Sequence, residues 1–165
     1  MTLKVTDDPP DRPAWVRETI RLLADGVEDW RARLLSRVEH ATDGELAAGS
    51  ADDWGVGQIA VHLLLIDRGV TLIALRLAHG QEAGPTGQPR PAASSVTRPG
   101  IGALAEKAAG ATARLRSEFP AEPNTSATAR HPYYGDLNCI GWLLTVGNHY
   151  NAHLRALSEG TASAL

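Results

Sequence analysis

The sequence predicts an all-α fold, a four-helix bundle, from three observations. Four segments carry apolar residues at alternating steps of three and four, which is the spacing of one helix face. No stretch keeps the strict alternation of a half-buried strand, and no segment repeats another. A long interval rich in proline and glycine, residues 84–100, permits one long crossover between the second and third helices.

The first helix is predicted to begin at Pro13, after a polar and proline-rich arm over residues 1–12. Charged residues fall outside its apolar stripe. The helix ends in residues 40–53, where glycine and aspartate give stop and cap signals. The stripe itself consists of Val16, Ile20, Leu23, Val27, Trp30, Leu34 and Val38.

The second helix is predicted to start near Asp52 or Asp53, either of which is a suitable N-cap, and to run to about Ala78. Gly80 follows as its stop signal. Because apolar residues surround its axis, we expect it to be the most buried helix.

The third helix is predicted over residues 101–119, closed by Pro120. An irregular stretch then leads to a fourth helix, with Asp136 as the expected N-cap and an end near Ser158. The interval 84–100 has two interpretations, a simple crossover or a lid over a pocket.

Length and composition favour one folded domain over residues 1–165. The formal net charge is −3, and no basic stripe suited to a phosphate backbone is present, so nucleic-acid binding is not expected. Cys139 is the only cysteine, which excludes an intrachain disulfide and a cysteine-based zinc site; we expect it to be a small core residue.

The most apolar stretch, Ile59–Leu75, is interrupted by His62, Asp67 and Arg68. It therefore indicates a buried helix rather than a membrane span. Residues 1–13 lack the apolar core of a signal peptide, so the expected location is the cytoplasm.

His149 and His153 stand one helical turn apart, so one metal ion can contact both imidazoles. They share a stripe with apolar residues and are expected to point into the core, where buried ring nitrogens need partners. Taken alone, this spacing is more typical of two hydrogen-bonded core histidines than of a metal site. The stripe is Trp142, Val146, His149, His153 and Leu157.

His62 lies on an apolar face of the most buried helix and is the expected third ligand. Three neutral imidazoles with an open position are typical of catalytic zinc sites, although imidazole also suits nickel, copper and iron. Tyr150 occupies the position of the glutamate in the metalloprotease motif HExxH, so that function is not expected.

Other polar residues have less specific interpretations. Asp67 and Arg68 either serve structural pairing or orient a ligand imidazole. Trp142 either packs in the core or walls a substrate pocket. His40, His79 and His131 are expected to face solvent, and a surface or interface position is expected for Asn148, Tyr150 and Asn151.

Three short motifs in order resemble the DinB/YfiT-like superfamily of bacterial four-helix bundles. They are Trp54 with His62 eight residues later, the run HPYYGDLN, and His149 with His153 before a leucine. The similarity covers about residues 13–158. It implies an up-down-down-up bundle with its crossover at 81–100.

The resemblance also implies a divalent metal, most often zinc or nickel, held by His62, His149 and His153, and a homodimer. Characterised relatives include thiol-dependent S-transferases and the mycothiol-dependent maleylpyruvate isomerase. The expected function is therefore metal-dependent transfer of a low-molecular-weight thiol, such as mycothiol, to an electrophilic small molecule that contacts Trp142. The alternatives are a non-catalytic small-molecule-binding or self-resistance protein with a vestigial site, and a metal-dependent hydrolase.

Overall fold

The computed structural model describes residues 11–159. Four long helices form a bundle in which α3 packs against the other three, and α1 packs against α4 and α5. A short helix and a two-stranded hairpin lie in the connections. The elements are α1 (Arg12–His40), α2 (Asp43–Ala47), α3 (Val56–Ala78), α4 (Arg98–Glu118), β1 (Ala129–His131), β2 (Gly135–Leu137) and α5 (Cys139–Glu159), with a 3₁₀ turn at Ala93–Ser95.

The first helix begins slightly earlier than predicted. The carboxylate of Asp11 accepts a hydrogen bond of 3.2 Å from the backbone N–H of Ala14, and a proline occupies the first turn. Residues 11 and 12 therefore belong to the capped helix and not to an arm. The rest of the predicted arm, residues 1–10, lies outside the described residues.

The predicted start of the second long helix is wrong. The N-cap of α3 is Gly55, while Asp53 donates its backbone N–H to the hydroxyl of Ser50 in a preceding turn; the same hydroxyl accepts from Asp52. A Cβ at position 55 would overlap the carbonyl oxygen of Ala48, so the close approach of the two backbones requires glycine. The aspartates are used in a local turn and not as a helix cap.

The connection before α3 contains a helix that the sequence did not predict. In α2 the hydroxyl of Thr42 accepts from the backbone N–H of Glu45, and the Glu45 carboxylate accepts from the Thr42 N–H. This reciprocal pair is a capping box, which stabilises even one helical turn.

The irregular stretch before α5 contains an antiparallel hairpin, contrary to the expectation that no strands form. Ala129 pairs with Leu137 and His131 with Gly135, whose φ of +77° suits glycine. Asp136, the expected helix cap, lies within β2. Three-residue strands are too short to show alternation in a sequence.

The cap of α5 is provided by Asn138 instead of Asp136. Its side-chain oxygen accepts a 3.0 Å hydrogen bond from the N–H of Gly141. The third long helix, α4, also differs from its prediction, because Thr97 caps it and it begins at Arg98 rather than at residue 101.

The apolar helix α3 is buried along most of its length, with 16 of its 23 residues buried in the protein. Within the described residues, it is the one helix long and apolar enough to cross a membrane. Of its most apolar window, 67% is buried inside the bundle, as in the core helix of a soluble protein.

A buried polar network joins all four long helices. The Asp67 carboxylate in α3 accepts hydrogen bonds of 2.9 Å from Arg31 in α1 and from the hydroxyl of Tyr150 in α5. Arg31 also donates to Thr112 in α4 at 2.7 Å. Burial raises the pKa of Asp67, and the charge of Arg31 opposes that rise.

Tyr150 is therefore not the surface residue that the sequence predicted. It is 1% exposed. Its side chain points away from the face of His149 and toward α1 and α3. There the aromatic ring can be buried while its hydroxyl still finds a hydrogen-bond partner. Asp67 pairs structurally and makes no hydrogen bond to a histidine among the described residues, while Arg68 is exposed.

Replacing Arg31 by Met should lower the free energy of unfolding by about 3–5 kcal/mol, because it leaves the Asp67 carboxylate buried without its cation. Arg17→Met, on the exposed face of the same helix, is the matched control and should change stability by less than about 0.5 kcal/mol. Urea unfolding followed by circular dichroism measures both. Equal stability of the two variants would show that the network contributes nothing specific.

Candidate metal centre

The structure brings together the three histidines that the sequence proposed as ligands. His62 comes from α3, and His149 and His153 come from successive turns of α5. Their candidate ligand atoms all lie within 4.8 Å of one another. Within residues 11–159 this is the one group of three or more histidine, cysteine, aspartate or glutamate side chains that could hold a metal ion.

Backbone contacts fix the protonation of His62. Its Nδ1 lies 2.7 Å from the carbonyl oxygen of Pro89, which can only accept, so Nδ1 carries the proton. The lone pair of the neutral ring is then on Nε2, which lies 2.7 Å from Nε2 of His149. A ligand histidine commonly donates its second nitrogen to a carbonyl in this way.

His153 supplies the observation that best fits a metal. Both of its ring nitrogens are buried, and neither has a hydrogen-bond partner. An unpaired buried polar atom is costly and calls for a partner. Since zinc–nitrogen bonds are about 2.0–2.1 Å long, small rotations of the three rings would let one ion contact them all.

Burial keeps the three rings neutral. It lowers the pKa of His149 to about 3, with further lowering from His153, His62 and His131. Burial, followed by the charge of His62, lowers the pKa of His153 to about 4, and burial also lowers the pKa of His62. Neutral imidazole is the form that binds a metal, so the cluster offers its lone pairs at neutral pH.

Trp54 packs against the histidine cluster. Its ring meets that of His62 edge-on with centroids 4.9 Å apart, and it is stacked on His153 at 6.4 Å. The indole therefore shields two of the rings from water and limits their rotation. In the sequence this residue was only a marker of family resemblance.

A cavity of about 190 Å³ opens beside His149 and His153. The inner side of α3 and the Trp142 ring form its walls, and residues 85–89 and 131–134 cover it. Trp142 is 2% exposed and donates its indole N–H to the carbonyl of Ala129. It thus packs in the core and walls the cavity, while its contact with a substrate stays a prediction.

The interval between α3 and α4 takes part in the site. Pro89 holds His62, and the hydroxyl of Tyr133 donates to the side-chain oxygen of Gln88 at 3.2 Å. This hydrogen bond joins the interval to the turn of the hairpin over the cavity. The segment is therefore a connection that also lines the cavity.

The prediction that His131 faces solvent is wrong. It is 9% exposed, lines the cavity, and packs 4.8 Å from the ring of Trp142. Its Nδ1 accepts from the backbone N–H of Tyr133 at 3.2 Å, and burial lowers its pKa. The sequence showed the run HPYYG, but without the hairpin nothing placed it over the site.

His40 and His79 are exposed, as predicted, and each ring bonds a backbone carbonyl. Asn148 and Asn151 are exposed, but Asn148 also reaches the rim of the cavity. Cys139 is buried, as predicted.

The chain is similar to known proteins in both sequence and fold. The family model described as the DinB superfamily matches residues 26–157. The crystal structure of TT2238, a four-helix bundle protein, superposes with a TM-score of 0.63 at 22% identity, covering 85% of this chain and 98% of that one. No curated protein matches the chain.

We expect the purified protein to carry about one divalent transition metal per chain, measured by inductively coupled plasma mass spectrometry. His149→Ala and His153→Ala should each remove most of it, since two imidazoles hold an ion far less tightly than three. His40→Ala, an exposed histidine, is the control. Metal content equal in all four proteins would mean that the ion binds elsewhere.

Metal-free protein should lose stability as the pH falls below about 6.5. Below that pH the histidines of the unfolded chain bind protons. In the folded protein, His149 and His153 do not bind protons until the pH approaches their pKa values of about 3 and 4. Unfolding by urea with a chelator, at neutral pH and at about pH 5, measures this loss. The loss of stability should be smaller in a His149→Gln/His153→Gln double variant. An identical loss in the double variant and in the unaltered protein would contradict the prediction.

Proposed function

This chain belongs to the DinB superfamily, and from that membership we propose that it is a metal-dependent enzyme. The observation that carries the proposal is the pair of buried, unpartnered nitrogens of His153 beside two further imidazoles and a cavity. The most specific form of the proposal is a thiol-dependent S-transferase that acts on an electrophilic small molecule.

His62, His149 and His153 would hold the ion. Imidazole ligands suit zinc, nickel, copper and iron alike, and zinc and nickel are the preferred candidates because of the family resemblance. When bound, the metal would supply a Lewis acid that stabilises a thiolate or lowers the pKa of water. The hydrogen bond from His62 to Pro89 keeps one lone pair directed to the site.

In the proposed reaction, the sulfur of a low-molecular-weight thiol such as mycothiol forms a bond to an electrophilic carbon. The thiol proton passes to solvent, and any leaving group departs with its electron pair. The protein contributes the cavity, in which the buried ring of Trp142 would shield part of the electrophile from water. Such shielding would favour transfer to the thiol over hydrolysis.

Two other functions are distinguished by the lining of the cavity. No aspartate or glutamate among the described residues lines it, so a hydrolase would lack the carboxylate that commonly serves as general base. A non-catalytic small-molecule-binding protein is the second candidate, favoured because an apolar, covered cavity binds ligands without any metal.

Further features belong to the same proposal. We propose an up-down-down-up order of the four long helices, with residues 81–100 as the crossover. We also propose a homodimer in the cytoplasm that uses a small-molecule substrate. Neither nucleic acid nor membrane is a proposed partner.

Protein loaded with zinc or nickel should conjugate mycothiol to an electrophile such as monobromobimane faster than the uncatalysed reaction. The rate should fall at least tenfold in His149→Ala, whereas His40→Ala should keep it. Fluorescence of the conjugate measures the rate. Tight metal binding without any acceleration, over a panel of thiols and electrophiles, would contradict the transferase and favour the binding protein.

A further inference from the structure

The buried side-chain amide of Gln58 joins three segments of the chain at the start of α3. It is 1% exposed. Its Nε2 donates to the carbonyls of Ser50 at 2.9 Å and Pro91 at 3.0 Å, and its Oε1 accepts from the N–H of Gly55 at 3.2 Å. A Cβ at position 49 would overlap this Oε1, so the backbone closes tightly around the amide. Both N–H groups and the oxygen therefore have partners, as a buried amide requires.

Gln58 and His62 hold the connection between α3 and α4 side by side. They lie four residues apart on α3 and so on one face of the helix. Gln58 contacts the carbonyl of Pro91, and Nδ1 of His62 lies 2.7 Å from the carbonyl of Pro89. Four residues of an α-helix rise about 6 Å, and two residues of extended chain span roughly 6–7 Å. Two side chains one turn apart therefore match two alternate carbonyls of an extended segment.

The amino-acid sequence keeps this segment stiff. Pro89 and Pro91 each have a fixed φ and no N–H. Gln88 and Arg90 each precede a proline, which favours an extended backbone at both positions. The two carbonyls thus lie on one short, restricted piece of chain, and a contact that holds one of them also positions the other.

The place of the Pro89 carbonyl decides which nitrogen of His62 is free. A neutral imidazole has one N–H and one lone pair. With the carbonyl at Nδ1, the N–H lies there, and the lone pair of Nε2 faces His149. Without that carbonyl the proton is free to occupy Nε2, which removes the lone pair from the histidine cluster.

We propose that Gln58 is a positioning residue of the histidine site. Its hydrogen bond to Pro91 keeps the Pro89 carbonyl at Nδ1 of His62, and so keeps Nε2 of that ring available as a ligand atom. Gln58 acts through the connection and does not bind the metal itself. The proposal rests on the proposed function only in taking the three histidines as ligands, because the tautomer of His62 is a property of the metal-free protein.

The tautomer of His62 is measured in metal-free protein with ¹⁵N-labelled histidine, at neutral pH, from long-range ¹H–¹⁵N spectra. We expect the proton on Nδ1 in the unaltered protein. In Gln58→Met, which has a side chain of similar size without the amide, the ¹⁵N shifts of the two ring nitrogens should move toward each other as the tautomers mix. Pro91→Gly, which loosens the segment but leaves Gln58 intact, should move them the same way. Thr112→Val removes a buried hydroxyl on α4 and is the control, with no change expected.

Zinc alone is the probe of the ligand set, and competition with a chromophoric chelator gives its dissociation constant. Gln58→Met should raise this constant by about tenfold, the lower end of the loss that follows removal of a partner behind a ligand. Pro91→Gly should raise it by about threefold, because it frees one backbone position. Thr112→Val, and Pro123→Gly in the connection before the hairpin, should change it by less than about twofold.

A tautomer of His62 that is unchanged in both Gln58→Met and Pro91→Gly would overturn the proposal, as would an equal loss of zinc affinity in Thr112→Val. If Gln58→Met does not fold, Pro91→Gly decides, since position 91 lies in a partly exposed connection. A mixed tautomer in variants of a protein that binds no zinc would reject the metal-dependent function and keep the role of Gln58. Zinc binding that is tight in the unaltered protein and unchanged in both variants would reject the role of Gln58 alone.

Discussion

The carboxylate of Asp67 is the constraint on which the bundle and its site both depend. It is fully buried and receives Arg31 from α1 and Tyr150 from α5, while Arg31 continues to Thr112 in α4. Tyr150 directly follows His149, and Asp67 lies little more than one turn beyond His62 on α3. The buried charge pair of Arg31 and Asp67 fixes α1 against α3, and the hydroxyl of Tyr150 holds α5 to the same carboxylate. The hydrogen bond from Tyr150 therefore helps to set how α3 and α5 face each other, and with it how closely their histidines meet.

The features that depend on helical periodicity could be predicted from the sequence. The stripes of α1 and α3 and the one-turn spacing of His149 and His153 are local properties, so four helices and an internal histidine cluster could be predicted. The cover over the site could not. The position of His131 depends on a hairpin of three-residue strands, and the start of α3 depends on backbone contact at Gly55. Both are tertiary effects that override local signals.

The site is divided between two kinds of structure. The imidazoles stand on long helices of the core, where packing limits the movement of each ring. Residues 85–89 and 131–134, which line the rest of the cavity, come from connections outside the bundle. The contact of His62 with Pro89 ties one connection to the bundle, and the contact of Tyr133 with Gln88 ties the two connections to each other. The histidines and the remaining lining of the cavity are thus supplied by different parts of one small chain.

The interval between α3 and α4 contacts the bundle through two of its own backbone carbonyls. Pro89 accepts from His62, and Pro91 accepts from the side-chain amide of Gln58. A carbonyl is common to all residue types, so these attachments survive many changes of side chain in the segment. Lengthening such a loop also adds little entropic cost to folding. Substitutions confined to this loop can consequently change the lining of the cavity while these two backbone attachments, and the histidines on the helices, stay in place.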